Sequence, residues 1–239
     1  MIVTRLHPGV REEFDLGSPQ GVDRVAELYR PAEREWLRIN LVASVNGNAS
    51  GSDGTSDGLS NRVDRKILGI IRRASDVVLV GAASVRAEGY LLPRTAPLAV
   101  LSASGDLTGH AIPPQTPGGR VLVFCAREGQ GRARETLRGT AAEVIVLPDE
   151  GGRIAPHDLV AALRDRGLQH IVCEGGPSLA GQLLDAGVVD EICLTTSPRI
   201  MATDLPVFGA AISVEREVGL AGLLLDEGSA LYARWSLRR

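Results

Sequence analysis

The sequence predicts an α/β fold: a mostly parallel central sheet with antiparallel strands at one edge and helices on both faces. Three observations carry that expectation. From residue 36 to about residue 186, short apolar runs alternate with stretches of helical period. Beyond residue 186 three strand-like segments follow one another with no helix between them, which is the pattern of a closing meander. Aromatic residues are only 3% of the chain, so the core must be built from Val, Leu, Ile and Ala.

The elements follow in order. Residues 1–31 are polar and read as an irregular arm with a short helix near 22–29, preceding a single domain over 32–239. Residues 36–44 alternate, with Leu37, Ile39 and Leu41 on one face and Trp36, Arg38 and Asn40 on the other, which predicts a strand. Residues 46–58 form a Gly/Ser/Asp loop too long for a simple turn, and loops of that length in compact domains tend to carry function. Ser60 is placed to cap a helix to about residue 74, whose stripe is Val63, Ile67, Ile70 and Ile71. A strand at 76–80 ends at Gly81, and a short helix follows it. Strands are expected at 98–101, 121–125, 143–147 and 171–173, and helices at 132–138, 158–166 and 178–186. The final meander is placed at 192–196, about 213–220 and 231–237.

Composition excludes several classes. A net charge of −3 argues against a general nucleic-acid binder. Lys66 is the single lysine, so an anion site here must use arginine forks or backbone amides. Cys125, Cys173 and Cys193 lie far apart in apolar runs with no C-x-x-C pair, so buried free thiols are expected rather than zinc or disulfides. His7, His110, His157 and His170 do not cluster, and no metal site is expected. No signal-peptide pattern and no apolar run of about 20 residues is visible, and the expectation is a soluble, cytoplasmic protein.

Three segments set glycine at a strand end just before a helix: Val45-Asn46-Gly47, Gly81-Ala82-Ala83-Ser84 and Glu174-Gly175-Gly176-Pro177-Ser178. In open α/β sheets ligands sit outside the carboxyl ends of the strands. Glycine there lets backbone amides approach a phosphate at a helix N-terminus. Each turn alone is more often structural than functional, but three together point to a phosphate-bearing cofactor. None is a G-x-G-x-x-G or a phosphate loop with its lysine. Glu88 and Glu174 stand beside these turns, either as solvated helix-end carboxylates or as groups that orient a heterocycle or handle a proton. Arg72 and Arg73 end a helix and can complement its dipole, while Arg94 lies in a loop, placed to clamp a phosphate.

These segments resemble a known family. Leu41-Val42-Ala43-Ser44-Val45-Asn46-Gly47 and Val77-Val78-Leu79-Val80-Gly81-Ala82-Ala83-Ser84-Val85-Arg86-Ala87-Glu88 are similar to its first two signatures. Val172-Cys173-Glu174-Gly175-Gly176-Pro177-Ser178-Leu179, then residues 183–191 and Thr195-Thr196-Ser197-Pro198, are similar to the rest. The family is the riboflavin-biosynthesis pyrimidine reductases, and the resemblance spans about 36–208. It implies a dihydrofolate reductase-like fold and NADPH-dependent reduction of a ribosylaminopyrimidine phosphate, of the 5-amino-6-(5-phosphoribosylamino)uracil reductase type. It also implies a homodimer, an expectation joined by the argument that the apolar meander would otherwise expose an edge.

Carried over position by position, the resemblance sets Ala43 and Gly47 near the nicotinamide. It gives the cofactor Gly81, Ser84 and Glu88, while Ser102, Ser104 or Arg127 are candidates for the adenosine 2′-phosphate from their strand-end positions alone. The amides of Gly175, Gly176, Pro177, Ser178 and Leu179 are matched to the segment around the pyrophosphate. Ser56, Arg72, Leu92, Arg94 and Glu174 fall on the substrate side, and Glu174 and Glu88 are the catalytic candidates. The chain departs from the family at Asn46, where aspartate is usual, and at Met201-Ala202-Thr203-Asp204, where a glycine pair is usual. It carries no H-A-E or P-C-x-x-C deaminase signature. Two alternatives therefore stand beside the pyrimidine reductase: a dihydrofolate or pterin reductase of the same fold, and a non-catalytic NADPH-binding protein.

Overall fold

The computed structural model describes residues 1–87, 92–114 and 116–237. Among the described residues eleven strands form one sheet: β1 (Ile2–His7), β2 (Glu12–Asp15), β3 (Trp36–Ser44), β4 (Val77–Gly81), β5 (Leu98–Leu101), β6 (Val121–Cys125), β7 (Glu143–Val146), β8 (His170–Cys173), β9 (Glu191–Ser197), β10 (Val218–Asp226) and β11 (Leu231–Leu237). Their order is β2-β1-β10-β11-β9-β3-β8-β4-β5-β6-β7. The segment from β9 to β7 is parallel throughout, and the four strands on the other side pair antiparallel. The sheet is therefore of the expected kind.

Helices cover both faces because the inner strands are apolar on both. Val25 of α1 (Pro19–Leu28), Ile67, Ile70 and Ile71 of α2 (Arg62–Arg73) and Val85 of α3 (Ala82–Ala87) pack against Val78, Val80, Leu98 and Val100. On the opposite face Leu159 and Leu163 of α5 (Pro156–Arg164) and Leu179 and Leu183 of α6 (Pro177–Asp185) meet Leu79, Ala99, Ile171 and Cys173. Between them in sequence, α4 (Gln130–Thr136) rests on β6 and β7. Pro156 and Pro177 each open a helix, the position where a missing N–H costs nothing.

Three expectations are corrected. Residues 2–15 are not irregular: Val3 and Phe14 are buried, and β1 pairs with both β2 and β10. Polar neighbours hid a strand that needs only one apolar face. This hairpin also covers the meander, so its outer strand β10 is not a bare edge. The strand expected at 213–220 lies at 218–226, because Ser213 is tied to Asp185 through N–H and Oγ (both 2.7 Å) in an exposed loop. Helix α2 is capped by Asn61, whose Oδ1 accepts the Asp64 N–H at 2.8 Å, rather than by Ser60.

At the heart of the sheet, Arg38 on β3 and Glu191 on β9 are register partners, each 1% exposed. Arg38 reaches Glu191 Oε2 at 2.8 Å, and Arg234 on β11 bonds Oε1 through Nε and Nη2 at 2.7 and 2.6 Å. Arg38 also donates to the Tyr29 carbonyl, and Arg234 to that of Leu28. Three strands and the end of α1 are thereby joined through one carboxylate. The cysteines are buried thiols, and burial pushes Cys173 and Cys193 up to about 12.

Candidate active site

A cleft of about 1850 Å³ opens at the carboxyl ends of β3, β4, β5 and β8. That volume exceeds the few hundred to about 1,000 Å³ typical of a single small-molecule site. Its lining includes Gly81, Ser84, Ser102, Ser104, the first turn of α6 and the loop carrying Arg153. It also includes Asn40, Val42, Ser56, Ser60, Asp64, Arg65, Leu68, Arg72 and Glu174.

The glycine turn after β8 is shaped by contact. Gly175 has φ +89°, and its carbonyl accepts the Gly81 N–H at 2.7 Å, locking the turn to the end of β4. A Cβ on Gly176 would stand 2.9 Å from Ser84 Oγ. Helix α6 begins at Pro177 and no side chain caps it, and Ser178 and Leu179 of its first turn line the cleft together with Ser84. This cradle suits the phosphates of a dinucleotide.

Glu174 and Arg72 form one unit. Arg72 Nε donates to Glu174 Oε1 at 2.7 Å and Nη2 to Oε2 at 2.6 Å. The Glu174 side chain is 6% exposed and that of Arg72 is 24% exposed. Such a fork holds the carboxylate plane in one orientation. The sequence reading treated the two as separate substrate contacts; the pairing joins positions 102 apart and leaves no trace in local pattern.

The remaining candidates are placed as follows. Ser56, Gly81, Ser84, Ser102, Pro177, Ser178 and Leu179 line the cleft together with Gly176, Glu174 and Arg72. Ala43 packs below it against Ala49 and Val207, and Gly47 makes the turn after β3 with φ +80°. Leu92 packs on the core and Arg94 is exposed, both away from the cleft lining, as is Arg127. Glu88 lies outside the described residues. Sequence reasoning missed Asp64 and Arg65. Asp64, Leu68 and Arg72 recur at i, i+4 and i+8, a cleft-facing stripe beside the apolar one. That stripe was a usable signal.

Asn46 donates from Nδ2 to the Met201 carbonyl (2.8 Å), and the Met201 N–H donates to Asn46 Oδ1 (3.0 Å). The two departures from the family pattern are therefore bonded to each other. An aspartate has no donor for the Met201 carbonyl, so the amide is the residue this strap needs.

The family of RibD C-terminal domains matches residues 35–211, nearly three-quarters of the chain. The chain belongs to the RibD C-terminal domain family. The Mycobacterium tuberculosis riboflavin biosynthesis protein RibD is 30% identical over 200 residues, covering 80% of this chain and 51% of that protein. The chain thus spans about half the length of the RibD proteins it matches. The 2,5-diamino-6-ribosylamino-4(3H)-pyrimidinone 5′-phosphate reductase of Methanothermobacter thermautotrophicus is 26% identical over 178 residues, covering 70% of this chain and 80% of that one. Among solved structures, a pyrimidine reductase-like protein from Corynebacterium diphtheriae superimposes with TM-score 0.75 at 27% identity, over 86% of this chain and 92% of its own. Dihydrofolate reductase from Enterococcus faecalis, complexed with NADP(H), shares the fold at TM-score 0.50 and 12% identity, over 86% and 98% of the two chains. This RibD C-terminal chain is accordingly an α/β protein of dihydrofolate reductase-like fold. Among the described residues no helix is long and apolar enough to cross a membrane.

Proposed function

We propose that this chain is a cytoplasmic, NADPH-dependent reductase of a phosphorylated ribosylaminopyrimidine. The observation that carries the reading is one cleft lined both by an uncapped helix N-terminus with its glycine cradle and by a fixed Arg72–Glu174 fork. Its size accommodates a dinucleotide and a small heterocycle side by side.

NADPH, when bound, supplies the hydride. The residues of this chain supply position and electrostatics. The amides of Ser178 and Leu179 and the Ser84 hydroxyl hold the pyrophosphate. Ser102 and Ser104, at the end of β5, face the adenosine side. Glu174, held in plane by Arg72, accepts N–H donors of the substrate ring. Arg65 is on the cleft wall, paired at 2.9 Å with Asp57 in an exposed contact that a phosphate can displace. Val42 and Leu68 give the ring apolar walls. The family resemblance also supports a homodimer, which light scattering on the eluted protein checks directly.

The test is NADPH oxidation by the purified protein with ribosylaminopyrimidine phosphates and dihydrofolate offered in parallel. Turnover of a ribosylaminopyrimidine phosphate supports the reading. NADPH binding without oxidation of any of them rejects it.

A further inference from the structure

The two strands that close the sheet, β10 and β11, lie outside the family-matched span, and the reductase reading gives their residues no work. The turn between them nevertheless reaches the helix that lines the cleft. Asp226, 7% exposed, ends β10. Its Oδ1 accepts the Ala230 N–H at 2.8 Å, and its Oδ2 accepts the Tyr232 hydroxyl at 2.7 Å and Asn61 Nδ2 at 2.8 Å. Burial, with the bond to Asp226, raises the Tyr232 phenol above its ordinary value, so it remains a donor. Asn61 in turn caps α2: its Oδ1 accepts the Asp64 N–H at 2.8 Å, and its carbonyl accepts the Arg65 N–H at 3.1 Å.

An asparagine amide has a donor end and an acceptor end, and a helix N-terminus needs the acceptor. An ionised carboxylate only accepts. Asp226 therefore decides which end of Asn61 faces the helix, a choice the amide alone leaves open. From the other side the Thr195 hydroxyl of β9 donates to Asp64 at 2.7 Å, so the first turn of α2 is tied to β9, β10 and β11 together. That helix carries Arg65, Leu68 and Arg72 onto the cleft wall. The cofactor cradle is built instead on β4, α3 and the start of α6, and β11, β9, β3 and β8 stand between β10 and β4 in the sheet.

We propose that Asp226 and Tyr232 are positioning residues: through Asn61 they hold the start of α2, and with it Arg65 and Arg72, in place for the substrate. The inference rests on the reductase reading above and extends it to residues beyond the family-matched span.

Asn61→Asp separates the clamp from the cap, because aspartate caps a helix as well as asparagine does but sets a carboxylate against Asp226. Adding Asp226→Asn exchanges donor and acceptor and rebuilds the bond in reverse. The experiment measures kcat, KM for the ribosylaminopyrimidine phosphate that the wild-type chain turns over, and the NADPH Kd in wild type, Asn61→Asp and the exchanged pair. Asn61→Asp is expected to raise KM about 10-fold while kcat and the NADPH Kd stay within about 3-fold, and the exchanged pair to return KM to within about 3-fold of wild type. A merely structural role would lower the active fraction, and so the apparent kcat, at unchanged KM. That pattern, or a KM that the exchange fails to restore, overturns the inference and leaves the reductase reading standing. If Asn61→Asp does not fold, Tyr232→Phe keeps the ring in the core and removes only the hydroxyl; KM should then rise about 3-fold or more, and an unchanged KM overturns the inference. If the wild-type chain reduces no ribosylaminopyrimidine phosphate, the reductase reading fails by itself, and binding of ribose 5-phosphate, followed by ligand-observed NMR, replaces KM as the readout. Binding that weakens about 10-fold in Asn61→Asp and returns in the exchanged pair upholds the clamp. Equal binding by all three proteins, or none by wild type, overturns it.

Discussion

Replacing Arg72 by methionine keeps the alkyl stem and removes the fork that holds Glu174. Exposed ion pairs are worth about 0.5 kcal/mol, whereas stranding one member of a fully buried pair costs about 3–5 kcal/mol. The Arg72–Glu174 pair lies between these limits, with one side chain 6% and the other 24% exposed. Two charge-assisted bonds at 2.6 and 2.7 Å, discounted for the exposed arginine, give a coupling of about 2 kcal/mol. At roughly 2–4 °C per kcal/mol for a chain of this size, Arg72→Met should lower Tm by about 4–8 °C. Glu174→Gln should cost less, because its amide oxygen still accepts from the guanidinium. The double variant should lie closer to Arg72→Met than to the sum of the two. Urea unfolding of wild type, both single variants and the double variant measures the coupling, and NADPH binding followed by fluorescence should stay within about 3-fold throughout, since 0.6 kcal/mol spans that factor. Single effects that add within about 0.5 kcal/mol would refute the reasoning, because independent sites add to that precision.

Glu191→Gln leaves Arg38 and Arg234 without their shared counter-charge at a site 1% exposed, and should cost about 3–5 kcal/mol; a thermal shift of less than about 2 °C would contradict that. Gly176→Ala drives a methyl toward Ser84 Oγ, a side chain able to turn away, so Tm should fall by less than about 4 °C while the NADPH Kd rises about 10-fold or more. Unchanged NADPH affinity would remove the Ser84–Gly176 cradle from the cofactor site. Asp64 faces Arg65 on its own helix, Asp226 on β10 and Tyr232 on β11, and desolvation leads the causes that raise its pKa. The folded state then binds the proton more tightly than the unfolded chain, so this group's contribution is full below pH about 3.8 and is lost as pH rises through the folded value. Asp64→Asn should therefore gain stability relative to wild type at pH 7 and gain little at pH 3.5, read as the difference in urea midpoints. Arg65→Ala should raise KM for the phosphorylated substrate, whereas the same change at Arg94, away from the cleft lining, should leave KM unchanged.

The parallel half of the fold was legible because its strands are short, doubly apolar and separated by periodic helices. The glycine turns were legible for the same reason: Gly175 and Gly176 are followed at once by a helix-opening proline. What the sequence hid was non-local. The pairing of β1 with β10 joins residue 3 to residue 226, and no window of sequence contains both. The Arg72–Glu174 fork and the Asp64–Thr195 bond likewise span 102 and 131 positions. Asp64 was hidden in another way, because an acidic residue in a first helical turn is ordinarily explained by the helix dipole alone. Only its burial against β9 and the cleft sets it apart.

The reciprocal bonds between Asn46 and Met201 have a consequence for anyone re-engineering this site. Restoring the aspartate usual in the family at position 46 would not simply return a charge. It would set a carboxylate against the Met201 carbonyl and leave that oxygen without its donor. The strap over residues 199–207 carries Leu205, which lines the cleft and whose N–H is held by Asn48. A single reversion would therefore loosen a wall of the pocket it was meant to sharpen. The two segments are one exchangeable cassette: a useful graft replaces both strands' ends together, and libraries that vary position 46 alone will search mostly among broken latches.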